Sequence, residues 1–257
     1  MIDALRARPG RSVWIPETLE YALLGSWRNR PEIASIDDMV AIRNIEPLLR
    51  TAFERCLERG DELMLALELE THRGASRYER AGLELLEEVI TYEIEVRRIP
   101  RMPRRHLWLS PISADDDAAI DRVTALDQAA FPWLWRNSRA EFDVYLTTPG
   151  VEVSFLVSDG MPVAYVGTTF FSGWGHLDRI AVEPDLQGRG LGRAALILAI
   201  DTMRQRGARR VGLSTQQSNY RSQRLYQRLG FERTSGMDYQ LFGVWGAANH
   251  AASNPSR

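Results

Sequence analysis

Gln187-Gly188-Arg189-Gly190-Leu191-Gly192 has the residue types and spacing to hold a phosphate or pyrophosphate. It follows Ile180-Ala181-Val182, which reads as the end of a buried strand. Pro184 and Asp185 break that strand, and Leu191 to Gln205 is apolar at helical spacing, so the glycines open a helix. Backbone N–H groups at a helix start have no partner inside the helix, and glycine lets the main chain turn sharply and approach a ligand closely. Such a turn suits a phosphate, with Arg189 and Arg193 adding positive charge. Two other phosphate loops do not fit: Gly-Lys-Ser/Thr is missing, and so is Gly-x-Gly-x-x-Gly with an acidic residue about 20 positions on.

Gln187-x-x-Gly190-x-Gly192 after a strand resembles the pyrophosphate-binding motif of the GNAT superfamily of N-acetyltransferases. Downstream, Arg210 to Ser214 reads as the next strand. Asn219 followed by Leu225-Tyr226-x-x-x-Gly230-Phe231 resembles the same superfamily's closing helix and turn. The tract Ser214–Asn219 with Leu225–Phe231 is most similar to the branch around ribosomal-protein alanine N-acetyltransferases.

The resemblance implies an α/β (α+β) fold with a mixed, mostly antiparallel sheet flanked by helices. It implies acetyl-CoA as co-substrate, no metal, and direct acetyl transfer to a primary amine of a small molecule or a peptide or protein N-terminus. Donor placement falls to the backbone of Ile180, Ala181 and Val182, and pyrophosphate to the amides of Gln187, Gly188, Arg189, Gly190, Leu191, Gly192 and Arg193. Asn219 matches a position that contacts the coenzyme arm, and Tyr226 one that protonates the departing thiolate. A phenol suits that task because its ordinary pKa lies only modestly above a thiol's; packing within the helix is the other reading of Tyr226. For the base, Asp178 on the central strand or Glu183 after it can relay a proton through water. Asp178 can equally hold Arg179 in a surface pair.

The elements that must position these groups follow from His106 onward. Leu107-Trp108-Leu109 reads as a strand, Asp115–Asp116 as the start signal of a helix through Ala130, and Ser138 to Thr147 as a second helix. Val151–Val157 and Pro162–Phe171 around Asp159-Gly160 make a hairpin leading into the central strand His176–Val182. Between the two helices lies Phe131-Pro132-Trp133-Leu134-Trp135. In the enzymes it resembles, this loop walls the acceptor site, which makes Phe131, Trp133 and Trp135 candidates; for Phe131 and Trp133 the alternative is packing of the helix pair.

The first half repeats part of this order. Tyr78-Glu-Arg80-Ala-Gly82-Leu83-Glu84 matches Tyr226-Gln-Arg228-Leu-Gly230-Phe231-Glu232, and Arg59-Gly60 matches Arg206-Gly207. Where the glycine turn belongs, the chain reads Asp38-Met-Val-Ala-Ile-Arg-Asn44, so backbone access to a pyrophosphate is lost. The expected organisation is a partial, degenerate GNAT-like structural unit over 1–96, an arginine- and proline-rich linker over 97–105, the acetyltransferase domain over 106–246, and a disordered tail over 247–257.

Composition bounds the partners. Against 34 acidic side chains stand 32 basic ones, all arginine, a net charge of −2 that gives no footprint for nucleic acid. The single Cys56 excludes an internal disulfide, and neither a signal peptide nor an apolar run of spanning length is present, so no membrane partner and a cytoplasmic location are expected. His72, His106, His176 and His250 with one cysteine make no metal-ligand spacing. A second functional reading remains open beside the enzyme: a catalytically idle acetyl-CoA sensor that reports to a partner through residues 1–105.

Overall fold

A computed structural model describes residues 9–43, 45–69, 75–101, 106–234 and 236–246. Backbone contacts divide the chain into two compact units, Met1–Val89 with Gly236–Arg257, and Ile90–Ser235.

In unit 1 the elements run β1 (Ser12–Ile15), β2 (Glu20–Ser26), β3 (Ile33–Val40), α1 (Ile45–Arg59), β4 (Leu63–Leu69), α2 (Ala75–Arg80) and the first half of β5 (Glu84–Glu95). The last strand among the described residues, β12 (Tyr239–Trp245), returns to this unit. The strand order is β1-β2-β3-β4-β12-β5, in which the β3–β4 pair is parallel. Leu48, Leu49, Ala52 and Cys56 line one face of α1 at helical spacing and bury against Ala22, Leu24, Ala34, Met64 and Phe242.

Unit 2 contains the second half of β5, then β6 (Leu107–Pro111), α3 (Asp117–Ala130), α4 (Arg139–Thr147), β7 (Val151–Ser158), β8 (Met161–Phe171), β9 (Trp174–Val182), α5 (Leu191–Gln205), β10 (Arg210–Gln216), α6 (Tyr220–Arg228) and the short β11 (Glu232–Arg233). Its strands order as β5-β10-β9-β8-β7-β6, mostly antiparallel, with β9–β10 parallel. The two-residue period of β8 feeds two cores. Ala164 and Val166 join Leu196, Ile200 and Met203 of α5, whereas Tyr165 joins Ile120 and Val123 of α3 and Phe142 of α4. Helices therefore cover both faces of the sheet.

Local signals account for most boundaries. Asp116 accepts from Ala119 N at 3.0 Å to start α3, and Ser138 accepts from Glu141 N at 3.0 Å to start α4. Asp159 and Gly160 both take positive φ, the conformation that a two-residue hairpin turn requires.

The units divide inside β5, upstream of the 97–105 stretch expected as a linker, and the C-terminal strand expected with 106–246 lies in unit 1. All seven residues of β12 register on β4, Tyr239 on Leu69 through Trp245 on Leu63, a ladder that chain order does not reveal. Strand β1 was not anticipated either. Part of the 97–105 stretch and the tail 247–257 lie outside the described residues. No helix among the described residues is long and apolar enough to cross a membrane.

Candidate active site

Strands β9 and β10 pair from Trp174↔Arg210 to Leu177↔Leu213 and no further. Asp178–Val182 and Ser214–Gln216 continue past that point without a ladder between them, so the two parallel strands splay. On its other edge β9 carries a bulge: Leu177 pairs with Thr168 and Arg179 with Gly167, leaving Asp178 as the extra residue. Ile180 and Val182 pack toward the α5 core while Ala181 is buried on the opposite face.

The glycine turn lies between β9 and α5. Gly188 and Gly190 sit at φ 83°, a left-handed conformation that L side chains rarely adopt, and an added Cβ at either would meet only open space. Helices α3, α4 and α6 are each capped by their own Asp, Ser or Asn side chain; α5 begins at Gly190 with no side-chain cap. Its first intrahelical bond runs from Ala194 N to Gly190 O, which leaves the amides of Leu191, Gly192 and Arg193 at an uncapped positive helix end. Arg189 and Arg193 are exposed there. Gln187 is used internally: its Nε2 donates to Val182 O at 3.1 Å, and its Oε1 accepts from Arg221 Nη1 at 2.5 Å. Arg221 thus brings a further cation to the turn, which sequence spacing did not reveal.

Tyr226 lies on α6, buried between Tyr92 and Phe231 with ring centroids at 6.1 and 5.9 Å. Burial pushes its phenol up to about 12, while a hydrogen bond with Ser222, one turn earlier, acts in the opposite direction. Leu225 beside it approaches Gly192, so the middle of α6 meets the start of α5. Asn219 caps α6, accepting from Ser222 N at 3.1 Å, so its carboxamide oxygen already has a partner.

Asp178 does not hold Arg179. Its Oδ2 accepts from Tyr145 of α4 and from Thr169 Oγ1 at 2.7 Å, and its Oδ1 is 2.6 Å from His176 Nδ1. The Tyr145 phenol is raised by burial first and by the Asp178 charge second. His176 shares a strand face with Asp178 at i, i+2, a relation legible from period two but not drawn from the sequence. Tyr145 left no sequence signal.

Arg179 reaches a different helix on the same face of the sheet, in a buried cluster. Its guanidinium donates to Asp127 Oδ2 through Nε at 2.9 Å and through Nη2, and Nη2 also donates to Trp135 O at 2.9 Å. Tyr165 donates to the same carboxylate. The Arg179 guanidinium lies over the Phe131 ring at 4.1 Å. Of the three loop aromatics, Trp135 is buried, while Phe131 and Trp133 are partly exposed.

The Acetyltransferase (GNAT) family profile matches residues 120–231. Over 107 residues the chain is 36% identical to ribosomal protein bS18-alanine N-acetyltransferase of Escherichia coli strain K12, an alignment covering 41% of this chain and 68% of that protein. The chain belongs to the GNAT family of acetyltransferases. Mycothiol acetyltransferase of Saccharomonospora viridis is 26% identical over 201 residues, covering 70% of this chain and 64% of that one. Among solved structures, a tandem GNAT protein from the clavulanic acid biosynthesis pathway shares the fold with TM-score 0.62 at 16% identity, covering 88% of this chain and 78% of its own. GNAT enzymes use acetyl-CoA as co-substrate.

Among the described residues, β1–β5 with α1 and α2 repeat the order of β7–β11 with α5 and α6, and unit 1 has no counterpart of β6, α3 and α4. In β3 the register shifts between Asp38↔Leu23 and Ile36↔Leu24, so Asp37 is a bulge residue as Asp178 is in β9. The parallel β3–β4 pair also stops early, at Ser35↔Leu65. Leu83 N donates to Tyr78 O and Phe231 N to Tyr226 O, both at 3.0 Å, around Gly82 and Gly230 at φ 90° and 89°. The connections differ. Residues 183–190 link β9 to α5, whereas only 41–44 link β3 to α1, with no glycine among them. There the fully buried Glu20 carboxylate accepts from Ile42 N at 2.5 Å and Arg43 N at 2.6 Å, an internal anion where unit 2 leaves amides open.

Proposed function

We propose that unit 2 transfers the acetyl group of acetyl-CoA directly to a primary amine of a small molecule or of a peptide N-terminus. The observation that carries this reading is the splay of β9 and β10 leading to an uncapped, glycine-opened helix. The splay leaves backbone groups of Ile180 and the Val182 N–H for the coenzyme arm, and the open amides of residues 191–193 face the pyrophosphate with Arg189, Arg193 and Arg221 beside them. In the reaction the amine lone pair attacks the thioester carbonyl carbon, the C–S bond breaks, one proton leaves the amine and one reaches the thiolate.

Tyr226 is the donor to the thiolate sulfur. For the amine's proton the pair Asp178–His176 is the acceptor: donation from Nδ1 to the carboxylate orients the ring and leaves Nε2 as its basic end. Phe131 and Trp133 form the apolar wall toward the amine, and Asn219 contributes through the α6 start it caps. Unit 1 is a degenerate GNAT-like unit without coenzyme, and the proposed setting is the cytoplasm.

Two measurements test the reading on the full chain. Calorimetry with acetyl-CoA is expected to show binding. A free-thiol assay over an alanyl peptide, ethanolamine, spermidine and a hexosamine is expected to show turnover with at least one of them. Binding without turnover of any amine would favour the sensor reading, and no binding would remove both.

A further inference from the structure

The Arg179–Asp127 pair belongs neither to the donor turn nor to the proton-transfer groups, yet its side chains are only 7% and 0% exposed. Burying two charges is costly unless each finds several partners, so the identity of those partners is informative. Apart from Tyr165 of β8, which donates to Asp127 and accepts from Arg179 Nε at 2.9 Å, they converge on one segment, residues 131–137. The Phe131 ring at its start lies under the guanidinium. At its end Trp135 O accepts from Arg179 Nη2, and Asn137 N donates to Asp127 Oδ1 at 2.7 Å. Arg136 Nε closes the segment on itself by donating to Phe131 O at 3.0 Å.

The root of this cluster is the strand position next to the bulge. The extra residue in β9 turns Asp178 and Arg179 to the same side of the sheet, one to Tyr145 of α4 and the next to Asp127 of α3. Arg179 is followed by Ile180, the first coenzyme-facing residue in the reading above.

We infer that Arg179 is a positioning residue for the acceptor side: through Asp127, Trp135 and Phe131 it fixes residues 131–137 against β9 and so shapes the wall that an incoming amine meets. This rests on the acetyltransferase reading of unit 2. A guanidinium is suited to the task because its planar fork reaches a carboxylate and a carbonyl at once while its face stacks on a ring; an ammonium is a point charge that does neither together.

The test compares the full-length wild type with Arg179→Lys and Asp127→Asn, using the panel amine that the wild type turns over fastest. For Arg179→Lys the amine KM is expected to rise about 10-fold or more with kcat within about 3-fold, and acetyl-CoA affinity by calorimetry to stay within about 3-fold. Amide hydrogen exchange is expected to quicken over 131–137 and not over the glycine turn. Asp127→Asn keeps the shape and the Asn137 contact while removing the charge, and carries the same test if Arg179→Lys fails to fold. Equal loss of kcat and acetyl-CoA affinity, an unchanged amine KM, or unchanged exchange over 131–137 in a folded variant would overturn the inference. A wild type that turns over none of the amines refutes the acetyltransferase reading instead, and exchange over 131–137 then still decides whether Arg179 holds the loop.

Discussion

Tyr226→Phe keeps the ring against Tyr92 and Phe231 and removes one buried hydroxyl. That phenol is pushed up to about 12, whereas a free thiol titrates near ~8.5, so complete proton transfer to the departing thiolate is uphill by about 3.5 units, or ~5 kcal/mol. In the proposed role the hydroxyl would therefore act mainly as a hydrogen-bond donor to developing negative charge, a contribution of about 1.5–3 kcal/mol. At ~1.4 kcal/mol per tenfold in rate, kcat is expected to fall roughly 10- to 150-fold. Acetyl-CoA affinity should hardly change, because the charge develops only as the C–S bond breaks. Thiol release at saturating amine measures kcat, and a thermal melt checks the fold, for which loss of the Ser222 contact costs about 0.5–1.5 kcal/mol. The raised pKa also means that Tyr226 stays protonated through mildly alkaline pH and puts no alkaline limb on kcat near pH ~10. An unchanged kcat, or a limb near pH ~10 that vanishes in the variant, would refute the buried-donor reasoning.

Three further outcomes are expected. Gly190→Val forces a β-branched residue to φ 83° at a strain of about 1–3 kcal/mol and places its Cβ in the open space before the helix, so acetyl-CoA affinity should fall about 100-fold or more in a folded protein; unchanged affinity by calorimetry would remove the turn as the phosphate site. Cys56, Tyr78 and Tyr226 are each raised to about 12, chiefly by burial, so the stability they contribute is fully present below their ordinary values and is lost as pH rises toward 12, at about 3–4 kcal/mol each; circular dichroism with phenolate absorbance should show unfolding in that window, and Tyr78 or Tyr226 ionising near pH ~10 in a folded chain would contradict it. Glu20→Ala leaves the Ile42 and Arg43 amides without their carboxylate and should cost about 2–4 kcal/mol in denaturant unfolding, while the chain still binds one acetyl-CoA; a stoichiometry of two in the wild type would show that unit 1 retains a coenzyme site.

Much of this arrangement was legible in the chain because its signals are local. Helix α5 was placed at Leu191–Gln205 by apolar period, α3 by the Asp115–Asp116 start signal, and the β7–β8 hairpin by Asp159-Gly160. The glycine turn was readable because it depends on backbone conformation, and glycine at 188 and 190 records that conformation in the sequence. The Tyr78–Glu84 repeat showed the second unit for the same reason: both copies fold the same short helix and left-handed glycine turn.

What only the tertiary structure decided depends on residues far apart in the chain. That β12 completes unit 1 beside β4, and that the units divide inside β5, follow from strand pairing across about 170 residues, which no local preference encodes. The partner of Asp178 is another case. Sequence proximity suggested Arg179, but the bulge at Asp178 sends the two side chains to different helices, so Asp178 meets Tyr145 and His176 while Arg179 meets Asp127, 52 positions away. A bulge is one unpaired residue in a register between two strands; its place is set by the partner strand, and β9 alone carries no mark of it.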